Sequence, residues 1–313
     1  MQKLNVVFMG TPDFALPSLS ALYQHHNVVA VFCQPDKANA RGNKVIYGPV
    51  KEFALNNNIP VYQPDTFKNE SCKPIIEELS PDIIVVAAYG KILPEYVLNY
   101  PKYGCINVHG SLLPKYRGAS PIQASVLNGD SVTGNTIMFM SKGLDTGDII
   151  LQHELEIGQY ETAGELFDRM SVHGAECLIE AIDKIIDGTA TRTPQNESES
   201  SHVGFISKEM GKLDFSLSAF EIKCKVYGLN PWPSAYIENE NSFYKIHKVV
   251  MGNKTNKPCG TVIGVSKLGI EVACGDNNSI IITEIQKQGK RKMDAYSFTL
   301  GHTISEGQSI YSL

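Results

Sequence analysis

The sequence predicts an α/β protein: a Rossmann-like, mostly parallel sheet with helices on both faces, followed by a smaller C-terminal β-barrel of the OB-like type. Three observations carry that expectation. Short continuous apolar runs alternate with helix-like stretches through the first half of the chain, as strands covered on both faces require. Beyond residue 206 the pattern changes to short strands separated by Gly and Asn turns, the spacing of a small barrel. Between the two lies a polar stretch, 189–202, with Pro194 and a run of Asn, Glu and Ser at 196–201. A chain of 313 residues is near the size at which one core stops growing, so two domains are expected. Their expected bounds are 1–188, a linker at 189–206, and 207–313.

Strands are expected at 4–9, 28–33, 60–62, 83–88 and 105–108, with helices at 14–23, 49–57, 72–79 and 121–127. Two more strands, 135–140 and 148–157, flank the turn Gly143-Leu144-Asp145-Thr146-Gly147-Asp148. Apolar residues at helical spacing then predict a long helix over 162–187. Thr162 with Glu165 three residues on forms a capping-box pattern, and Gly188 supplies the stop. In the second part a helix at 218–228 leads to Asn230-Pro231-Trp232-Pro233. Strands follow at 235–237, 244–250, 260–265, 269–273 and 279–286.

Several classes lose their support. The apolar runs are too short to cross a bilayer, and the start reads as a strand rather than a leader, so a cytoplasmic protein without membrane contact is expected. Seven cysteines are scattered with no C-x-x-C pair, which fits buried thiols in a reducing compartment. Gly10 is followed by Thr11, Pro12 and Phe14, so the dinucleotide fingerprint is missing, and no phosphate-binding P-loop occurs. Charge is uneven. Residues 207–313 hold 13 Lys and Arg against 10 Asp and Glu, a net +3, leaving −8 on the rest of a chain whose total is −5. That asymmetry hints at an anionic macromolecular partner.

Ligands of open α/β sheets bind outside the carboxyl ends of the strands, which points at Gly10, at Tyr89 with Gly90, and at residues 107–110. On a strand, Asn107 and His109 project to the same side. A carboxamide donor beside an imidazole suits acyl transfer, one for an oxyanion and the other for a proton. Asp145, in its glycine-flanked turn, is a carboxylate able to orient the imidazole. Spacing alone leaves open a purely structural pair and an ordinary turn. Metal binding by His109, Asp145 and Asp148 is disfavoured, since one histidine and two acids here lack ligand spacing.

The run Asn107-Val108-His109-Gly110-Ser111-Leu112-Leu113-Pro114-Lys115-Tyr116-Arg117-Gly118, followed by the Gly143–Asp148 turn, resembles the signature of the 10-formyltetrahydrofolate-dependent formyltransferases. Met9-Gly10-Thr11-Pro12-Asp13-Phe14, Gln34-Pro35-Asp36, Pro49-Val50-Lys51 and the 230–233 segment are similar to the methionyl-tRNA formyltransferases among them. The resemblance implies that Asn107, His109 and Asp145 are catalytic, with no metal. It implies that Ser111, Leu112, Leu113 and Pro114 contact the folate; Tyr89 and Gly90, pointed at by the strand-end rule, are expected to join them. It also implies that the loop at 38–48, with Arg41, Lys44 and the neighbouring Lys37, enters a tRNA acceptor arm. The C-terminal barrel, with Lys287, Lys290, Arg291 and Lys292, would assist on tRNA phosphates. The reaction so implied moves the formyl group of 10-formyltetrahydrofolate to the amine of methionyl initiator tRNA. A monomer is expected. A small amine, glycinamide ribonucleotide or an amino sugar, is the alternative acceptor.

Overall fold

The computed structural model describes residues 2–36, 46–239 and 242–313. The chain runs β1 (Asn5–Gly10), α1 (Leu16–His25), β2 (Asn27–Phe32), α2 (Pro49–Asn56), β3 (Val61–Tyr62), α3 (Lys73–Leu79), β4 (Ile83–Ala87), α4 (Glu95–Leu98) and β5 (Cys105–His109). It continues through β6 (Arg117–Gly118), α5 (Pro121–Leu127), β7 (Val132–Phe139), β8 (Ile149–Glu156), α6 (Ala163–Ile186) and β9 (His202–Val203). The remainder forms α7 (Ala219–Gly228), β10 (Ala235–Glu238), β11 (Phe243–Lys254), β12 (Val262–Ser266), β13 (Gly269–Ala273), β14 (Asn278–Lys287), β15 (Met293–Asp294) and α8 (Ala295–Leu300).

Residues Met1–Pro121, Thr133–Glu156 and Phe167–Val203 group as one unit; Ile122–Val132, Ile157–Leu166 and Gly204–Leu313 as the other. The first unit is built on a seven-stranded sheet ordered β3-β2-β1-β4-β5-β7-β8. β1 pairs in parallel with β2 and β4, as do β2 with β3 and β4 with β5. β7 turns antiparallel on β5. The strands of β1, β4 and β5 are almost wholly buried because they are apolar along their length rather than alternating. The order reverses between β1 and β4, the switch point at which such sheets open a crevice. There the strand ends crowd together: a Cβ on Gly10 would meet Ala87 O at 2.8 Å, so only glycine fits.

One face of this sheet carries a core of Val7, Met9, Phe32, Phe67, Ile76, Val86 and Leu93, closed by Tyr89. α6 packs on the other face, where a Cβ on Gly174 would lie 3.0 Å from Val108 Cγ1. Val108 therefore faces α6, and the alternate residues Asn107 and His109 face away from it.

The second unit has an antiparallel sheet ordered β10-β11-β14-β13-β12, with β15 on β14, the β-rich architecture expected of this region. Short segments from earlier in the chain group with it. Gly129 sits so close to Phe220 that a Cβ there would be 2.4 Å from Cζ, and the Gly164 N–H donates to Asn230 O at 3.0 Å. The expected capping box is formed: Glu165 N–H donates to Thr162 Oγ1 at 3.1 Å and Thr162 N–H to Glu165 Oε2 at 2.9 Å.

The segment expected as a linker is not a free tether. β9 pairs with β6 in the first unit, and Arg117, 1% exposed, reaches Gln195 and Glu197 from β6. Polar composition reported that most of its side chains meet water, and concealed the two that grip a buried guanidinium. Among the described residues no helix is long and apolar enough to cross a membrane.

Candidate active site

Asn107 and His109 occupy the carboxyl half of β5, and the β7–β8 connection brings Asp145 to them. Both strand residues are buried, 8% and 5% exposed. Among the described residues the Asn107 carboxamide has no hydrogen-bond partner, although it lies at a strand end. An amide at a strand end that its own protein leaves without a partner is the kind of donor that a substrate oxygen completes.

The His109 ring is fixed by two contacts of different kinds. Nε2 donates to the Tyr116 carbonyl at 3.0 Å, since the carbonyl can only accept. Nδ1 faces Asp145 Oδ2 at 3.7 Å, beyond a hydrogen bond but well within reach of its charge. Burial pushes the imidazole below its ordinary value of 6.5, and the Asp145 charge and the Tyr116 bond oppose that without reversing it. The resting ring is thus neutral near pH 7, with its lone pair on Nδ1. The Tyr116 carbonyl holds the ring on its Nε2 side, and Asp145, which the sequence suggested would orient the ring, lies on its Nδ1 side.

Asp145 itself is held tightly. Its Oδ2 accepts from Gly118 N–H at 2.9 Å, while Gln195 Nε2 donates to the Asp145 and Gly147 carbonyls at 2.8 Å each. The unusual backbone of the turn lies on Asp145, with φ of 54°, a conformation that Asp tolerates better than most residues. Gly147 is required for a different reason: a Cβ there would sit 1.7 Å from Phe139 O.

The 111–114 segment is bound into the same strand ends. Thr136 Oγ1 donates to Ser111 O at 2.6 Å, Gln152 Nε2 donates to Leu113 O at 2.8 Å, and Leu113 N–H donates to Thr136 Oγ1 at 3.1 Å. Ser111 is fully buried and its hydroxyl donates to Lys115 O, so it closes the turn. Leu112 and Pro114 are the half-buried members; Leu113 is buried. The Tyr89 side chain turns inward. Its ring is buried in the core against Phe67, its hydroxyl unpartnered, because Ala88 before it takes φ of 47° and breaks the strand alternation. Only its backbone stays at the strand end, where its carbonyl accepts from Gln34 Nε2 at 2.9 Å. Gly90 is exposed beside it. Thr11 Oγ1 accepts from Gln34 N–H at 3.0 Å, so the ends of β1, β2 and β4 are laced together.

The family profile described as "Formyl transferase" matches residues 3–182, and that of "Formyl transferase, C-terminal domain" matches 205–303. The chain belongs to the formyltransferase family. Curated relatives agree along almost its whole length. "Methionyl-tRNA formyltransferase" of Clostridium perfringens (strain SM101) is 47% identical, covering 97% of this chain and 99% of that one. The protein of the same name from Clostridioides difficile (strain 630) is also 47% identical, with the same coverage. Among solved structures, the sugar 3N-formyl transferase WlaRD, in the presence of dTDP and 5-N-formyl-THF, shares the fold. Its TM-score is 0.68 at 22% identity, covering 93% of this chain and 100% of that one.

For this formyltransferase the cationic candidates divide. Lys37, Arg41 and Lys44 fall outside the described residues. The segments on either side are anchored, Lys51 pairing with Asp36 and Gln63 donating to Asp36 at 3.1 Å. In the second unit Lys290 and Arg291 are exposed, with no acidic partner among the described residues. Lys292 pairs with Glu284 at 3.1 Å, and Lys287 lies 5.9 Å from the Tyr244 ring. Sequence reasoning missed Gln195, Thr136, Gln152 and the structural role of Arg117. Only Arg117 carried a signal, as the arginine of the R-G pair closing the motif.

Proposed function

We propose that the chain transfers the formyl group of 10-formyltetrahydrofolate to the α-amino group of methionyl initiator tRNA. The observation that carries the chemistry is the unpartnered Asn107 carboxamide beside a neutral, buried His109 whose Nδ1 faces Asp145. The near-identical length and 47% identity of relatives named for methionyl-tRNA support the acceptor.

In this reading the neutral amine attacks the formyl carbon, a C–N bond forms, and the bond to the folate nitrogen breaks. Asn107 donates to the oxyanion of the tetrahedral intermediate. Nδ1 of His109 takes the proton that the amine releases and returns it to the leaving folate nitrogen. The Asp145 carboxylate stabilises the imidazolium in between, at a separation where a buried charge pair is strong. The backbone at Tyr89 and Gly90, with the 111–114 segment, borders the folate. Residues 207–313, through Lys287, Lys290, Arg291 and Lys292, meet tRNA phosphates, as do Lys37, Arg41 and Lys44. The chain acts as a cytoplasmic monomer.

The test is direct. Incubation with 10-formyltetrahydrofolate and charged methionyl initiator tRNA should give formylmethionine on the recovered tRNA. Formylation of an amino sugar or glycinamide ribonucleotide, with methionyl-tRNA untouched, would overturn the acceptor while keeping the reaction class.

A further inference from the structure

A second cluster of chemistry-bearing groups lies on the α6 side of the first sheet, opposite the face carrying Asn107 and His109. His153 on β8 and His173 and Cys177 on α6 each offer a donor atom, all within 4.8 Å of one another. His173 and Cys177 are four residues apart, so they share one stripe of the helix. Cys177 Sγ lies 3.9 Å from His173 Nδ1, and the two imidazole centroids are 6.0 Å apart. Glu180, one turn nearer the helix end, places Oε2 3.3 Å from His153 Nε2. Lys184 occupies its other oxygen, Oε1, at 3.4 Å.

We propose that His153, His173 and Cys177 form a structural site for a divalent transition-metal ion of the zinc class, with Glu180 beside His153. Two imidazoles and one thiolate are donors that a tetrahedral borderline-soft ion takes, leaving a fourth position for solvent or another donor, whereas magnesium and calcium call for oxygen alone. Bonds of about 2.3 Å to sulfur and 2.0–2.1 Å to nitrogen set such donors roughly 3.5 Å apart. The donors, within 4.8 Å of one another, would have to draw closer around the ion. An outer partner is already in place. Asn135 Oδ1 accepts from His173 Nδ1 at 2.9 Å, which keeps the proton there and leaves Nε2 to coordinate. As the sulfur–metal bond forms, the thiol proton passes to solvent. His153 and Glu180 are about two-fifths exposed, at 42% and 43%, so the ion has a path in. Once bound, it ties β8 to α6 behind the hairpin whose turn carries Asp145.

The full chain, stripped with a chelator, should be titrated with Co²⁺ and then with Zn²⁺. One Co²⁺ per chain should bind with a thiolate-to-cobalt charge-transfer band in the near ultraviolet, and Zn²⁺ should displace it. Cys177→Ser should abolish the band, and Cys259→Ser, which alters an exposed thiol, should leave it. Asn135→Ala should keep the band but weaken binding about 10–100-fold, the effect of losing an outer partner. His153→Ala, at a half-buried position, should weaken Co²⁺ binding by at least that much, with circular dichroism unchanged. Absence of the band at stoichiometric Co²⁺, or a band that survives Cys177→Ser, would overturn the site.

Discussion

At the scale of single residues, His109 is governed by burial on one side and by the Asp145 charge on the other. Burial wins, so the ring titrates below 6.5. The sign for stability follows. The unfolded imidazole takes a proton more readily than the folded one, so the contribution is full above 6.5 and is lost as pH falls through the lowered value. Asp145→Asn removes the charge that holds the ring up, so the His109 midpoint should fall further. Following its imidazole proton signals against pH checks this, and a rise would contradict it. Strand periodicity made the pairing of Asn107 with His109 legible, because alternate residues share a face. The inward turn of Tyr89 was not legible, since it depends on one left-handed residue, Ala88, that no pattern announces. Nor does sequence spacing show that a carbonyl seven residues on, at Tyr116, holds the histidine ring.

At the scale of elements, the Asp145 turn is supported from outside itself. Gln195 ties Asp145 O and Gly147 O to the buried Arg117, which Glu197 meets with both oxygens. Gln195→Ala should therefore loosen Asp145 without touching substrate. It should lower kcat by up to ~10²-fold, the scale of a 1 Å misplacement, with the folate KM near normal; steady-state kinetics decide it, and an unchanged kcat would free Gln195 of that role. The Arg117 hydrogen bond holds the Glu197 carboxyl below its ordinary 4.5. Its contribution is present above that value and lost as pH falls through the lowered one, so Glu197→Gln should remove this arm of acid unfolding. Thermal melts from pH 3 to 6 for both proteins, on the order of the carboxylate range, would show it. Long periodic elements such as α6 and the apolar strands were readable. β6, β9, α4 and α8 were not, because two to six residues hold too little periodicity.

For the molecule as a whole, residues 207–313 carry +3 against −8 elsewhere, and the proposed tRNA contacts of this region rest on its exposed cations Lys290 and Arg291. Lys290→Ala with Arg291→Ala should flatten the slope of log tRNA affinity against log salt by up to ~1.8, at about 0.9 per phosphate contact. An unchanged slope would return these cations to the solvated surface. The two-part architecture was visible in the change from helix-rich to strand-rich patterning. The adherence of 122–132 and 157–166 to the second unit was not, because it rests on close approaches such as Gly129 to Phe220 between segments distant in sequence. The central claim is that Asn107 serves the transition state of formyl transfer, and single-turnover transfer from 10-formyltetrahydrofolate to methionyl-tRNA by the natural chain and by Asn107→Ala tests it most directly. The variant should bind the folate normally and transfer formyl about 10²–10³-fold more slowly, as loss of one oxyanion donor requires; an undiminished single-turnover rate at saturating substrates would contradict it.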